Sequence, residues 1–167
     1  GDATAVLAGG VEVMSRGPYI LPAHRWGARM GDSGLTDMLL GALHDPFGIG
    51  HMGITAENVA QDYNIRRASM DEFAADSQTS ASAAQSAGSF KEQIVPLTVK
   101  QGRKEINFES DEFIRSETTF DSLANLRPAF AKDGLVTAGN SSGINDGSAS
   151  VILADANKIN SHNATPM

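Results

Sequence analysis

The 167-residue sequence contains no cysteine, and this absence excludes several classes of chemistry. Without a thiol the chain forms no disulfide, offers no thiolate to a metal and has no cysteine nucleophile. No apolar run approaches the roughly 20 residues that span a bilayer as a helix. Basic residues are also few, 13 against 20 acidic ones, for a formal net charge of −7. Because nucleic acids and anionic membranes are polyanions, this charge disfavours both as general partners.

Metal-binding motifs and a P-loop are also lacking. We find no HExxH sequence, no P-loop and no Ser-His-Asp order, and the four histidines do not have metal-ligand spacing. The sequence therefore predicts no metal site.

The composition is that of a soluble globular protein, with 41% hydrophobic and 20% charged residues. The length is near that of one ordinary domain, so we expect a sizeable core. The chain opens with GDATAVLAGG and no initiator methionine. We expect it to be the middle of a longer polypeptide, with any targeting segment outside it.

The two ends of the chain resemble each other. Residues 3–8 and 149–154 are both runs of small and β-branched apolar residues, which predict strands. Because they are apolar on both faces, we expect them to be buried neighbours in one sheet, covered by helices on both sides. Asp155 is then the predicted N-cap of a last helix over residues 156–161.

The intervening residues predict a mixture of helices and short strands. The clearest helix begins at a capping box, Ser69 to Glu72, and ends at Gly88. The other predicted elements are helices over 35–43, 54–63 and 119–126, and strands over 94–100 and 106–108 that form a hairpin across Gly102. We therefore predict an α/β fold in which residues 1–10 and 137–167 form a core and residues 11–136 an inserted subdomain.

Three positions each leave a structural and a functional interpretation open. His51, in GIGHMGITAEN, is either a loop histidine that bonds the backbone or a donor or base beside a ligand. Its neighbour Met52 is either core or a soft pocket wall. Arg115 is either a surface ion-pair partner or a residue that grips a phosphate.

The loop GNSSGINDG, residues 139–147, leaves a similar choice. Its glycines permit positive φ and close approach of the backbone to a ligand, whereas Asn-Asp-Gly is a turn signal by itself. From the residues alone, a turn and a ligand cradle are equally good interpretations. Together these positions indicate an α/β domain with a possible site for a small anionic molecule.

Several longer motifs together resemble the thiolase family. They are AGGVEVMS, RWGARMGDSGLTD, HMGITAENVA, DEFAADSQ, FKEQIVPLTV, LRPAF and VTAGNSSGINDGSAS, in that order over nearly the whole chain. The resemblance is greatest to biosynthetic-type acetyl-CoA acetyltransferases. It implies a partial thiolase-type layered α/β core, with two buried strands and a helix, and an inserted mixed α/β loop subdomain.

The resemblance also implies an activity. Thiolases condense two acetyl-CoA to acetoacetyl-CoA, or cleave a 3-ketoacyl-CoA, through a cysteine acyl-enzyme. The family's catalytic cysteines and its GHP and NEAF motifs have no counterpart in these 167 residues. We therefore expect no catalytic residue in this chain and no activity from the chain alone.

The resemblance implies no permanently bound cofactor. What the resemblance leaves to this chain is the binding of coenzyme A or acetyl-CoA as substrate. It implies that His51, Met52 and Leu43 lie beside the pantetheine, acyl pocket and CoA groove. It places Ser142 at the pantetheine amide and Arg115 and Ser122 near the adenine nucleotide. The remaining apolar contacts implied are Ala138, Phe130 and Ile144.

The expected partners follow from the same resemblance. They are acyl-CoA substrates, the remainder of the thiolase chain, and further copies in a homotetramer or homodimer. We expect a cytoplasmic enzyme, with a mitochondrial or peroxisomal location left open because a leader would lie outside the sequence. The alternatives are a non-catalytic CoA-binding or assembly module, and a degradative thiolase for longer 3-ketoacyl-CoA substrates.

Overall fold

The computed structural model describes residues 2–166 and contains six strands and five α-helices in that range. The strands are β1 (Ala5–Val13), β2 (Tyr19–Ile20), β3 (Thr36–Asp37), β4 (Leu97–Gln101), β5 (Lys104–Phe108) and β6 (Asp146–Ala154). The helices are α1 (Met38–Ala42), α2 (Met52–Asp62), α3 (Arg67–Ser86), α4 (Phe120–Ala124) and α5 (Ala156–Ser161). A 3-10 turn, Met14–Arg16, follows β1.

The chain divides into two compact units. One spans Gly1–Leu39 and Ile144–Met167, and the other spans Leu40–Gly143. These limits differ from the predicted division at residues 10/11 and 136/137. The assignment of the inner segment to an inserted loop subdomain stays a prediction.

In the first unit the two ends of the chain pair as predicted. β1 and β6 form an antiparallel ribbon with Ala5 opposite Ala154 and Val13 opposite Asp146, so both strands extend past the predicted runs. Asp155 caps α5, because its Oδ1 accepts a hydrogen bond of 2.8 Å from the Lys158 amide. The predicted final helix over 156–161 is therefore confirmed.

The predicted burial of these two strands is wrong for the described residues. Leu7 and Ile152, opposite one another in the ribbon, are 73% and 75% exposed. Burial of a sheet needs a layer packed on each face. A two-stranded ribbon and the six-residue α5 do not supply these layers.

In the second unit α3 begins two residues before the predicted capping box. Arg66 is the N-cap and makes no side-chain capping bond, and Ser69 and Glu72 both lie within the helix. A reciprocal capping box occurs instead at α4, between Thr119 and Ser122. At the other end of α3 the prediction holds, because Gly88 has φ +76°.

The remaining local predictions are confirmed in most cases. β4 and β5 form the expected hairpin, with Gly102 in the left-handed region at φ +65°. Helix α4 lies within the segment predicted for it, and α2 begins two residues before the predicted segment and ends one residue before its end. The segment predicted as one helix over residues 35–43 instead begins with β3, which pairs with β2, and only then enters α1.

The hydrophobic core is smaller than the length of the chain suggests. The buried hydrophobic residues that the structure describes are Ala60, Leu123 and Val136, all in the second unit. Asp71 and Thr137 are the buried polar residues of the same region. Between residues 2 and 166, no helix has both the length and the apolar character needed to cross a bilayer.

Candidate functional site

The loop that precedes Ser142 is attached to α2 through a carboxylate. The Leu135 amide donates to both oxygens of Glu57, at 3.0 and 2.9 Å, and the Val136 amide donates to Glu57 Oε1 at 2.9 Å. Hydrogen bonds to a charged acceptor are stronger than those between neutral groups. Glu57 thus fixes the start of the loop on the helix.

The buried Thr137 and the half-buried Asn140 then shape the loop itself. The Thr137 amide donates to Asn140 Oδ1 at 2.7 Å, and the Asn140 amide donates to Thr137 Oγ1 at 3.3 Å. Asn140 Nδ2 reaches Asp71 Oδ1 on α3 at 2.9 Å. Because Asp71 is 1% exposed, this contact anchors the loop to a buried group.

The same aspartate joins the loop to α4 through Arg67. Arg67 Nε donates to Asp71 Oδ2 at 2.6 Å, and Arg67 Nη2 donates to the carbonyls of Leu123 and Leu126 at 2.7 and 3.1 Å. Carbonyls at a helix C-terminus attract cations. A single ion pair therefore holds both α4, which carries Ser122, and the loop that carries Ser142.

The two adjacent serines of the loop have different surroundings. Ser141 Oγ donates to the Thr137 carbonyl at 2.6 Å, so this hydroxyl is occupied within the loop. Ser142 is exposed, and its hydroxyl has no hydrogen-bond partner among residues 2–166. Ala138 is also exposed in this loop. Ile144 is exposed as well but belongs to the other unit.

His51 makes the backbone contact that one interpretation of the sequence predicted. As the N-cap of α2, it accepts a hydrogen bond at Nδ1 from the Gly53 amide at 3.0 Å. In the neutral ring this contact leaves the proton on Nε2, available as a donor. The sequence left a ligand role open beside this structural one, and the free Nε2 is compatible with both.

Aromatic packing fixes the orientation of the His51 ring. The ring stacks on Phe130 at 4.9 Å between centroids, and His44 meets it edge-on at 5.4 Å. A Cβ on Gly53 would overlap the Phe130 ring, so this position needs glycine for close packing. Three of the predicted residues lie here together, because Met52 follows His51 and its amide donates to the Leu43 carbonyl at 2.9 Å.

Residues 48–53 of this turn match the spacing G-x-G-x-x-G, which the sequence analysis missed. Gly48 and Gly50 have φ of +103° and +108°, and the segment leads into α2. The dinucleotide fingerprint requires a strand immediately before the glycines. Here the short α1 precedes them, so the match carries no dinucleotide-binding assignment.

Arg115 lies on a loop that returns to the glycine-rich segment. Its guanidinium carbon is 5.4 Å from the centroid of the Phe113 ring, and its amide donates to Gln78 of α3 at 2.8 Å. No carboxylate of the described chain lies within ion-pair distance of Arg115. The surface ion pair considered from the sequence is therefore not formed here.

Ser122 is bound within its own helix. Its hydroxyl donates to the Thr119 carbonyl at 2.7 Å and accepts from the Thr119 amide at 3.0 Å. The bond from the Thr119 amide is one half of the capping box of α4, and the other half is the bond of 3.2 Å from the Ser122 amide to Thr119 Oγ1. The two bonds of the Ser122 hydroxyl orient it toward the helix end, and its predicted contact with a nucleotide stays a prediction.

Six of the predicted residues of the second unit thus fall into two groups. His51, Met52, Leu43 and Phe130 lie around the start of α2. Arg115 and Ser142 belong to segments that meet where Phe113 packs on Gly143. Among residues 2–166, no group of three or more metal-ligating side chains occurs. The exposed groups can donate hydrogen bonds and bind an anion, but these residues include no thiol nucleophile.

Comparison with known proteins assigns the family. Residues 1–157 match the family model described as thiolase, N-terminal domain. Over 156 residues the chain is 54% identical to the beta-ketothiolase BktB of Cupriavidus necator, covering 93% of this chain and 40% of that protein.

Solved structures agree with this sequence match. The acetyl-CoA acetyltransferase of Bacillus anthracis superposes with a TM-score of 0.90 at 44% identity, over 99% of this chain and 42% of that one. Human mitochondrial 3-ketoacyl-CoA thiolase in complex with CoA superposes with a TM-score of 0.87 at 40% identity, over 99% of this chain and 41% of that one. The chain therefore spans about two fifths of the length of these relatives. By sequence and by structure, it belongs to the thiolase family.

Proposed function

We propose that this chain is the coenzyme A-binding segment of a thiolase-type acyltransferase. The complete enzyme condenses two acetyl-CoA to acetoacetyl-CoA and CoA, or runs the reverse thiolysis. The observation that supports this most strongly is an exposed Ser142 on a loop held by Glu57 and Asp71, within a member of the thiolase family.

The site has a polar end and an apolar end suited to a long ligand. Arg115 supplies a cation that no described carboxylate neutralises, as a nucleotide phosphate requires. Ser142 supplies a hydroxyl for an amide of the pantetheine arm. The stacked His51 and Phe130 rings, with Met52, offer apolar walls to the acyl end. A CoA thioester is anionic at one end and apolar at the other.

Acyl transfer by this route needs a thiolate nucleophile and a second thiol that acts as base. Neither is present among the 167 residues. In the proposed reaction this chain holds and orients the carrier, and the cysteines come from other parts of the complete protein. The 167-residue chain alone is expected to show no thiolysis of acetoacetyl-CoA.

Calorimetric titration of the complete gene product with CoA tests the binding site. We expect Ser142→Ala to weaken binding about two- to tenfold, because one net hydrogen bond contributes roughly 0.5–1.5 kcal/mol. Ser86→Ala, which changes an exposed serine at the end of α3, is the matched control and leaves the affinity unchanged. Unchanged binding in Ser142→Ala would place the pantetheine elsewhere.

The acyl chain length and the assembly are also part of the proposal. Thiolysis of acetoacetyl-CoA against a 3-ketohexanoyl-CoA separates an acetyl-CoA enzyme from a degradative one. Trp26 and Met30 in the first unit are almost fully exposed, which supports an interface between copies in a homotetramer or homodimer. Analytical ultracentrifugation of the complete gene product measures that state.

A further inference from the structure

We propose that Phe113 is a positioning residue that couples the two ends of the CoA site. It would hold the Ser142 loop with the end of its ring and the Arg115 guanidinium over the ring. This inference rests on the proposed function, because it concerns how the same site is organised. It assigns to Phe113 a role in affinity without a direct contact to the ligand.

The first contact is with the residue after Ser142. A Cβ built on Gly143 would overlap the end of the Phe113 ring, so the ring packs directly against the backbone of the loop. Only glycine permits this approach. Movement of the ring is therefore transmitted to the position of Ser142.

The second contact is with the cation. Arg115 Cζ lies 5.4 Å from the Phe113 centroid, within the range of a cation–π interaction. The loop is also held to α3, because Gln78 accepts from the Arg115 amide and Gln85 donates to the Asp111 carbonyl at 3.2 Å. Hydrogen bonds thus fix the backbone of this loop at Asp111 and at Arg115. Phe113 lies between these two residues and orients the flexible Arg115 guanidinium.

The two contacts place different demands on the side chain. Packing on Gly143 requires bulk, which leucine also provides, whereas attraction of Arg115 requires an aromatic face. Substitutions at one position therefore separate the two effects. Pantetheine lacks the nucleotide of CoA, so its affinity reports only on the Ser142 end of the site.

The experiment compares CoA with pantetheine on the complete gene product by calorimetry, using Phe113→Leu and Phe113→Ala. We expect Phe113→Leu to weaken CoA about two- to fivefold, the range of an exposed cation–π contact, and to leave pantetheine unchanged. Phe113→Ala should weaken both ligands. Phe73→Leu makes the same change at an exposed phenylalanine of α3 and is the control, with wild-type affinity for both ligands.

A second pair of substitutions, which enlarges residue 143 and shortens residue 113, tests the contact between Gly143 and Phe113 independently. Gly143→Ala alone should weaken pantetheine, and the double variant with Phe113→Ala should recover part of that loss because the methyl group takes the space of the ring. If Phe113→Ala misfolds, the difference between CoA and pantetheine binding in Phe113→Leu decides.

Three results would overturn the coupling: equal loss of both ligands in Phe113→Leu, wild-type binding in all Phe113 variants, or no recovery in the double variant. In each case the wild type still binds CoA, so the proposed function stands. A wild type that binds neither ligand would refute the proposed function, and the coupling with it.

Discussion

Replacement of Asp71 by alanine removes the anion that joins α3, α4 and the Ser142 loop. The carboxylate is 1% exposed and contacts Arg67 Nε at 2.6 Å and Asn140 Nδ2 at 2.9 Å. In the variant Asn140 loses one acceptor, and Arg67 loses its counter-ion while it remains mostly buried, with 21% of its side chain exposed.

The free-energy cost of Asp71→Ala follows from these contacts. Breaking a buried ion pair by removing one partner costs roughly 3–5 kcal/mol. Arg67 keeps its bonds to the Leu123 and Leu126 carbonyls and is partly exposed, so we take the lower end, about 3 kcal/mol. That corresponds to about a 100-fold increase in the population of the open loop.

Amide hydrogen exchange at Thr137 measures this opening, because its acceptor is the Asn140 side chain that Asp71 holds. We expect exchange about 100-fold faster in Asp71→Ala. Asp71→Asn keeps the shape and one acceptor oxygen and should give a smaller increase. Asp76→Ala, on the exposed face of the same helix, is the control and stays within about 0.5 kcal/mol of wild type. Less than threefold acceleration in Asp71→Ala would refute this reasoning.

Two further predictions concern local packing and titration. Gly53→Ala places a methyl group on the Phe130 ring and should lower the free energy of unfolding by about 1–3 kcal/mol in urea denaturation, whereas Gly41→Ala, where the space is open, should be neutral or stabilising. Hydrogen bonds from the Ser15 side chain and backbone lower the pKa of Asp146. Their stabilising effect is present above the ordinary aspartate pKa and is lost as the pH falls through the lowered value. Ser15→Ala removes the side-chain bond, so carboxyl carbon NMR should show the Asp146 pKa rise; an unchanged titration would contradict the assignment.

Local signals in the sequence predicted local structure well. Asp155 before α5 and Gly102 between β4 and β5 act on the residues next to them, and both predictions hold. The capping box at Ser69 failed because α3 starts earlier. Arg67 is the first residue of α3 and bonds Asp71. It also bonds the Leu123 and Leu126 carbonyls, which lie 56 and 59 residues away. Such a tertiary preference leaves no local pattern.

For the candidate site, too, the sequence marked the local segments but not the long-range contacts that hold them. Glycines beside His51 and Ser142 marked both segments as places where a backbone comes close to other groups. The buried contact between Asp71 and Asn140 joins residues 69 apart, and neither residue is unusual in its own segment. Exposure of β1 and β6 was also unpredictable, because an apolar pattern shows that a strand can be buried but does not supply the covering layer.

Hydrogen–deuterium exchange of the complete gene product, with and without CoA, tests the central claim most directly. The claim is that the segments containing His51, Arg115 and Ser142 form the CoA-binding surface. The account predicts slower exchange on CoA addition in residues 50–53, 113–122 and 138–143, and no change in the β4–β5 hairpin. Protection confined to other segments, or no protection at saturating CoA, would contradict it.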